Sequence, residues 1–151
     1  MKKCIFFLML FTCAILNGQS KGDLIVGANS NFSGSISGLN VSPSFAYQVD
    51  DTWQVGLTSS VVQYNVYKFD YTNVFVRYYD SRCSYKHRPF LQLHVGTSIN
   101  DKLFSSGIAV GLTAKLTKWL VFEPKLQLTY SESVLEYGFQ GGANVGFGIL
   151  L

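Results

Sequence analysis

The chain has 151 residues, 48% hydrophobic and 14% charged, with 12 Lys plus Arg against 9 Asp plus Glu. So slight a positive excess gives no electrostatic basis for binding nucleic acid or for a polybasic membrane-surface patch. The length suits a single domain.

Met1-Lys2-Lys3 is a short basic stretch, and Cys4 to Leu16 is apolar except for Thr12. Asn17-Gly18-Gln19-Ser20 then supplies the small and polar residues of a cleavage region. The apolar run falls short of the roughly 20 residues of a transmembrane helix. Residues 1–20 are therefore predicted to be a secretory signal peptide, cut after Gly18 or Ser20, with residues 21–151 forming one domain. An uncleaved anchor and a lipoprotein acylated at Cys13 are the alternatives. Leu10-Phe11-Thr12 lacks the small residue that such a lipoprotein site normally carries. Removing Lys2 and Lys3 from the 12 Lys plus Arg brings the balance against 9 Asp plus Glu near +1. Cys4 and Cys13 leave as well, so Cys83 stands alone and no intramolecular disulfide is possible. It reads as an inert thiol in a turn.

After the leader no long stretch repeats apolar residues at i, i+3, i+4 and i+7. The chain divides instead into segments of about ten residues separated by turn chemistry, the pattern of an all-β sandwich or barrel. Strands are predicted at 23–32, 40–49, 53–63, 71–80, 89–99, 104–116, 119–130 and 137–150. The connections are short, as hairpins between sequential neighbours require. In the first, Leu24, Val26, Ala28 and Phe32 oppose Gly27, Asn29 and Asn31. In the fourth, Val74, Val76 and Tyr78 oppose Asn73, Phe75, Arg77 and Tyr79. In the fifth, Leu91, Leu93, Val95 and Ile99 oppose Gln92, His94, Gly96 and Ser98. The sixth alternates Ile108, Val110, Leu112, Ala114 and Leu116 with Gly107, Ala109, Gly111, Thr113 and Lys115. The seventh sets Leu120, Phe122, Leu126, Leu128 and Tyr130 against Glu123, Lys125, Gln127 and Thr129. The last sets Tyr137, Phe139, Val145, Phe147 and Ile149 against Gly138, Gln140, Gly142, Asn144, Gly146 and Gly148. Strict period two marks strands with different surroundings on their two faces.

Two barrels fit, one inside out from the other. A soluble lipocalin-like barrel turns its apolar face inward around a small apolar ligand; an outer-membrane barrel turns it toward lipid and keeps a polar lumen. Glycine decides between them, because Gly27, Gly56, Gly96, Gly111, Gly138, Gly142, Gly146 and Gly148 all lie on the polar face. Small residues relieve crowding inside a tube of eight strands, whereas on a water-facing surface they only cost backbone entropy. The sparse charge agrees. The predicted class is thus an all-β, eight-stranded antiparallel up-and-down transmembrane barrel. Aromatics near segment ends (Tyr47, Trp53, Tyr71, Tyr78, Phe90, Trp119, Phe122, Tyr130 and Tyr137) are expected to form interfacial girdles. Trp53, Trp119 and Tyr137 are the principal candidates, the two tryptophans each following a short polar turn at the same rim.

Several stretches in order carry a family likeness: Gly22 to Gly27 after the leader, Val41 to Tyr47, Trp53 to Leu57, Val74 to Tyr79, Arg88 to Leu91, and the Gly/Phe-rich final strand. With these the chain resembles the small outer-membrane β-barrel proteins of Gram-negative bacteria, of the eight-stranded OmpA/OmpX type, over nearly all of residues 21–151. The resemblance implies outer-membrane localisation, contact with outer-membrane lipid and handling by the barrel-assembly machinery, and it implies no particular activity. Two departures stand out. Many such barrels end in an aromatic residue, where this chain has Leu151, and Pro124 removes a ladder donor inside its strand.

The remaining chemistry lies in the lumen. At about 3.3 Å per residue, Arg77 and Glu123 stand roughly 10 Å from the same rim. They are expected to meet across the tube in a polar network with His94, Lys115 and Lys125, closing it, because unpaired buried charge is expensive. A gated polar path is the competing reading. No catalytic residues are expected: no serine sits in a nucleophile elbow, and His87 and His94 lack a nucleophile partner. No His or Cys pair has zinc-site spacing, and no cofactor is expected. The connections 33–39, 64–70, 100–103 and 131–136, with Tyr64, Tyr67, Phe69, Leu103 and Phe104, are the candidate contacts for a surface partner or glycan.

Overall fold

Alternating residues with no helical period leave inter-strand hydrogen bonding as the way to satisfy the backbone. A computed structural model describes residues 21–32, 40–64, 67–80, 86–98, 102–132 and 137–151. Eight strands form: β1 (Leu24–Phe32), β2 (Asn40–Gln48), β3 (Trp53–Tyr64), β4 (Tyr67–Tyr79), β5 (His87–Ser98), β6 (Phe104–Lys115), β7 (Leu120–Glu132) and β8 (Tyr137–Leu150). Each pairs antiparallel with its sequence neighbours, and β1 pairs with β8 from Ile25↔Leu150 to Phe32↔Ala143, so the sheet closes into a barrel. At the seam the Leu151 amide donates to the Leu24 carbonyl at 2.9 Å. Closure leaves no sheet edge along this seam, the condition a strand must meet where water is absent. The leader (1–20), Cys83 and the connections 33–39 and 133–136 lie outside the described residues.

One connection is corrected. Residues 64–70, read as a loop, are largely strand: the β3–β4 ladder continues through Val61↔Asp70 and Gln63↔Lys68 to Tyr64↔Tyr67. Tyr64, Tyr67 and Phe69 are therefore strand residues. The β2–β3 ladder stops earlier, at Ser44↔Thr58, and the β4–β5 ladder begins at Tyr71↔Ser98. Past those ends the hairpin pairs with itself alone among the described residues. Pro124 leaves a gap in the β6–β7 ladder: pairing runs to Gly111↔Lys125 and resumes at Ala114↔Phe122 in the same register. The interruption is therefore not a bulge, which would shift the register.

The β2–β3 turn at the rim that carries both ends of the domain is held by Asp50. Its Oδ1 accepts from the Thr52 amide (2.7 Å), the Thr52 hydroxyl (2.7 Å) and the Trp53 amide (2.8 Å). The Thr52 hydroxyl foremost, then the two amides, hold the carboxyl below its ordinary value. A depressed pKa contributes stability above the unfolded value and loses it as pH falls through the folded one. A titration of the Thr52 and Trp53 amide resonances is expected to give a midpoint below the ~3.9 of a free aspartate. A midpoint at or above that value would remove Asp50 as the clasp.

Candidate functional site

Strand parity sorts every described side chain. Along β5, Leu91, Leu93 and Val95 point outward and are exposed, while Arg88, Phe90 and Gln92 are buried. The outward set continues as an apolar surface through Val74, Val76, Val110, Leu126 and Phe147. Leu126 is 63% and Phe139 73% exposed. A soluble lipocalin-like barrel would enclose these side chains. An apolar surface this continuous, over closed strands, fits contact with hydrocarbon rather than water.

The lumen is crowded by design of its sequence. A Cβ on Gly56 would collide with the Phe45 carbonyl and the Phe75 ring, and one on Gly111 with the Phe90 ring and Lys125. Glycine at these inward positions makes the room that large polar and aromatic side chains fill. Ile25, Ala46, Phe75 and Val121 form an apolar cluster inside the tube.

Beside that cluster Arg77 of β4 reaches across to Glu123 of β7, with Nη1 2.7 Å from Oε1. Nη1 also donates to the Tyr79 hydroxyl at 2.9 Å, and Nη2 donates to Gln92 Oε1 at 2.9 Å. The guanidinium carbon lies 4.0 Å from the Phe90 ring centroid, a cation–π contact. Thr113 donates to Glu123 Oε1 at 2.9 Å. The Tyr79 hydroxyl lies 3.2 Å from Thr113 Oγ1 and 3.3 Å from Gln54 Oε1, and Gln54 donates to Gln48 at 3.2 Å. Arg88 stacks on Tyr79, 4.4 Å from its ring centroid, and donates to the Asp51 carbonyl. Charge-assisted bonds of this kind, removed from water, are strong and geometrically specific.

Of the five residues expected to share one network, Arg77, Glu123 and Lys125 line one cavity. Arg77 and Glu123 meet. Lys125 is buried one inward position farther along β7. His94 lies toward the far rim, with Nε2 3.3 Å from Thr129 Oγ1. Lys115 ends β6 near the terminal rim, where its amide donates to the Lys86 carbonyl.

Trp53 and Trp119 stand exposed at the terminal rim, Trp53 edge-on to Tyr78 with centroids 5.1 Å apart. Tyr137 begins β8 at the far rim, opposite Glu132. Two girdle candidates are corrected: Tyr71 and Phe90 are buried in the lumen, Tyr71 donating to the Glu132 carbonyl at 2.8 Å. Nearness to a strand end says nothing about the face; parity with Arg77 and Gln92 does. The same parity would have found Tyr79, Gln54 and Thr113, which the sequence reading left out of the network. Among the described residues no group of three or more His, Cys, Asp or Glu side chains is placed to hold a metal ion.

A closed eight-stranded barrel with an apolar exterior and a packed polar interior defines a small membrane-type β-barrel. No protein-family model and no curated protein matches the chain. Solved structures do. The chain is similar to the N-terminal β-barrel domain of Pseudomonas aeruginosa OprF, with TM-score 0.69 and 16% identity over 88% of this chain and 100% of that one. It is similar to the outer membrane protein Ail of Yersinia pestis in a nanodisc (TM-score 0.56, 13% identity, 86% and 99% covered). OprG of Pseudomonas aeruginosa follows at TM-score 0.52 and 16% identity, with 91% and 99% covered. The fold is that of small eight-stranded outer-membrane β-barrels.

Proposed function

We propose that the protein is an integral outer-membrane barrel whose lumen is plugged by the Arg77–Glu123 network, serving a structural or surface-interaction role without catalysis. The observation that carries this reading is the inversion of ordinary burial. Arg77 and Glu123 are sealed inside, while Leu93, Leu126 and Phe139 face outward. Outer-membrane lipid covers that surface, and the barrel-assembly machinery inserts it. The plug is favoured over a conducting path because eight strands leave an interior that side chains fill, and here they interlock across it. A surface partner or glycan would be met at the far rim, where β3 and β4 project.

Fractionation combined with gel migration tests this reading. The protein is expected in the outer-membrane fraction, resistant to extraction by alkaline carbonate, and to migrate faster unheated than boiled. Purified monomer in a planar bilayer is expected to show no sustained conductance. Recovery in the soluble fraction would overturn the location, and robust conductance would overturn the plug.

A further inference from the structure

The hydrogen bonds of the plug tie some strands across the lumen and leave others out. They run from Gln48 of β2 through Gln54, Tyr79 and Arg77 to Glu123 of β7. Among the described residues no side-chain hydrogen bond carries them on to β1 or β8. Glu123 is engaged through one oxygen: Oε1 accepts from both Arg77 and Thr113, and no described residue donates to Oε2. Lys125 stands near enough to sense the Glu123 charge without a direct ion pair to it. On β1 and β2, Asn29 and Ser44 make no side-chain hydrogen bond among the described residues.

Glu123, Lys125, Asn29 and Ser44 line one cavity of about 20 Å³ inside the tube, together with Arg77 and Thr58. The volume holds a single water. A carboxylate and two cations meet at this space, so its occupant must donate to Glu123 and accept from Lys125. Water does both, whereas a halide only accepts and a metal cation only attracts acceptors. Empty cavities are apolar; one that offers a water about two to four polar partners is wet. A polar contact too long to be direct is where a bridging water is expected.

We propose that Glu123, Lys125, Asn29 and Ser44 bind one structural water in this cavity, and that it forms the second arm of the plug. The water donates to Glu123 Oε2 and to the Ser44 hydroxyl oxygen, and it accepts from the Lys125 ammonium and the Asn29 amide. The polar network then spans the lumen from β7 to β1 and β2, and Lys125 is joined to Glu123 without a second carboxylate. Burying these groups with no such partner would cost the desolvation of each. The inference rests on the plugged-lumen reading for the role of the water, while its binding is tested separately.

Two substitutions on β2 test it by their sign. Ser44→Ala removes a hydroxyl and adds no bulk. In the refolded full-length mature protein, unfolded with urea in detergent, it is expected to lower the folding equilibrium constant about fivefold, the loss of one net hydrogen bond. Ser42→Ala, at the next inward position, removes a hydroxyl that is buried without a partner, and is expected to leave the constant unchanged or raise it. In a dry cavity Ser44 would be as unpartnered as Ser42. A Ser44→Ala variant at least as stable as the unaltered protein, or an equal fall in both variants, would therefore overturn the proposal. Crystals of the unaltered protein are expected to show a water peak within hydrogen-bond reach of Glu123 Oε2 and Lys125 Nζ. A cavity without density, or side chains closed over it, would overturn the proposal even if neither variant folds. Fractionation and conductance do not enter these readings, so failure of the water site and failure of the plugged barrel are told apart.

Discussion

Glu123→Ala lowers the stability of the folded barrel by about 3–5 kcal/mol, the cost of leaving one member of a buried pair alone. Arg77 would keep its bonds to Gln92 and Tyr79 and its place on Phe90, but no negative charge would face it. Thr113 would lose its acceptor. The double variant Arg77→Met/Glu123→Leu removes both charges with similar volume and is expected to recover most of the loss, because apolar replacements of a buried pair are often neutral or better. Urea titration in detergent, followed by the unheated gel band, measures both. A single variant as stable as the unaltered protein would show that the pair contributes nothing to the fold.

Gly56→Val follows as the second large effect. A Cβ there meets the Phe45 carbonyl and the Phe75 ring. The ring can turn, but the carbonyl belongs to the paired strand, since Ala46 and Gly56 are register partners. Overpacking costs typically 1–3 kcal/mol and occasionally more, and a branched side chain against backbone is expected to reach at least about 3 kcal/mol. Gly141→Ala is the control. Nothing lies within 4 Å of its added Cβ, and its effect is expected to stay within about 0.5 kcal/mol. Equal tolerance at both positions would contradict the crowded-lumen account of the glycines.

Period-two alternation carried most of the fold. The eight segments, their order and the pairing of Leu24–Phe32 with the final strand were legible because each side chain's face follows from parity alone. The direction of the faces came from glycine: Gly27, Gly56, Gly96, Gly111, Gly146 and Gly148 are tightly packed, whereas Gly138 and Gly142, named with them, have open space where a Cβ would stand. What escaped reading did so for physical reasons. The Tyr64–Asp70 stretch looks like a loop because Lys68 and Asp70 break the apolar alternation, yet backbone pairing carries the ladder on through Val61↔Asp70 and Gln63↔Lys68. Tyr71 and Phe90 are aromatic near strand ends and still point inward, since packing around Arg77 calls for rings as much as the interface does. The Arg77–Glu123 meeting was legible from height and parity. The place of Lys115 was not: its register partner is Val121, two residues and so about 6.6 Å along β7 from Glu123.

The central claim is that polar side chains face a closed interior while apolar ones face lipid. Oxygen accessibility of single spin labels along β5 tests it most directly, using positions 90–95 in a Cys83→Ser background in lipid vesicles. The account predicts a period of two, with labels at Leu91, Leu93 and Val95 highly accessible to oxygen and those at Phe90, Gln92 and His94 shielded. Labels at Leu91, Leu93 and Val95 that are shielded from oxygen, with Gln92 and His94 open to a water-soluble quencher, would contradict it.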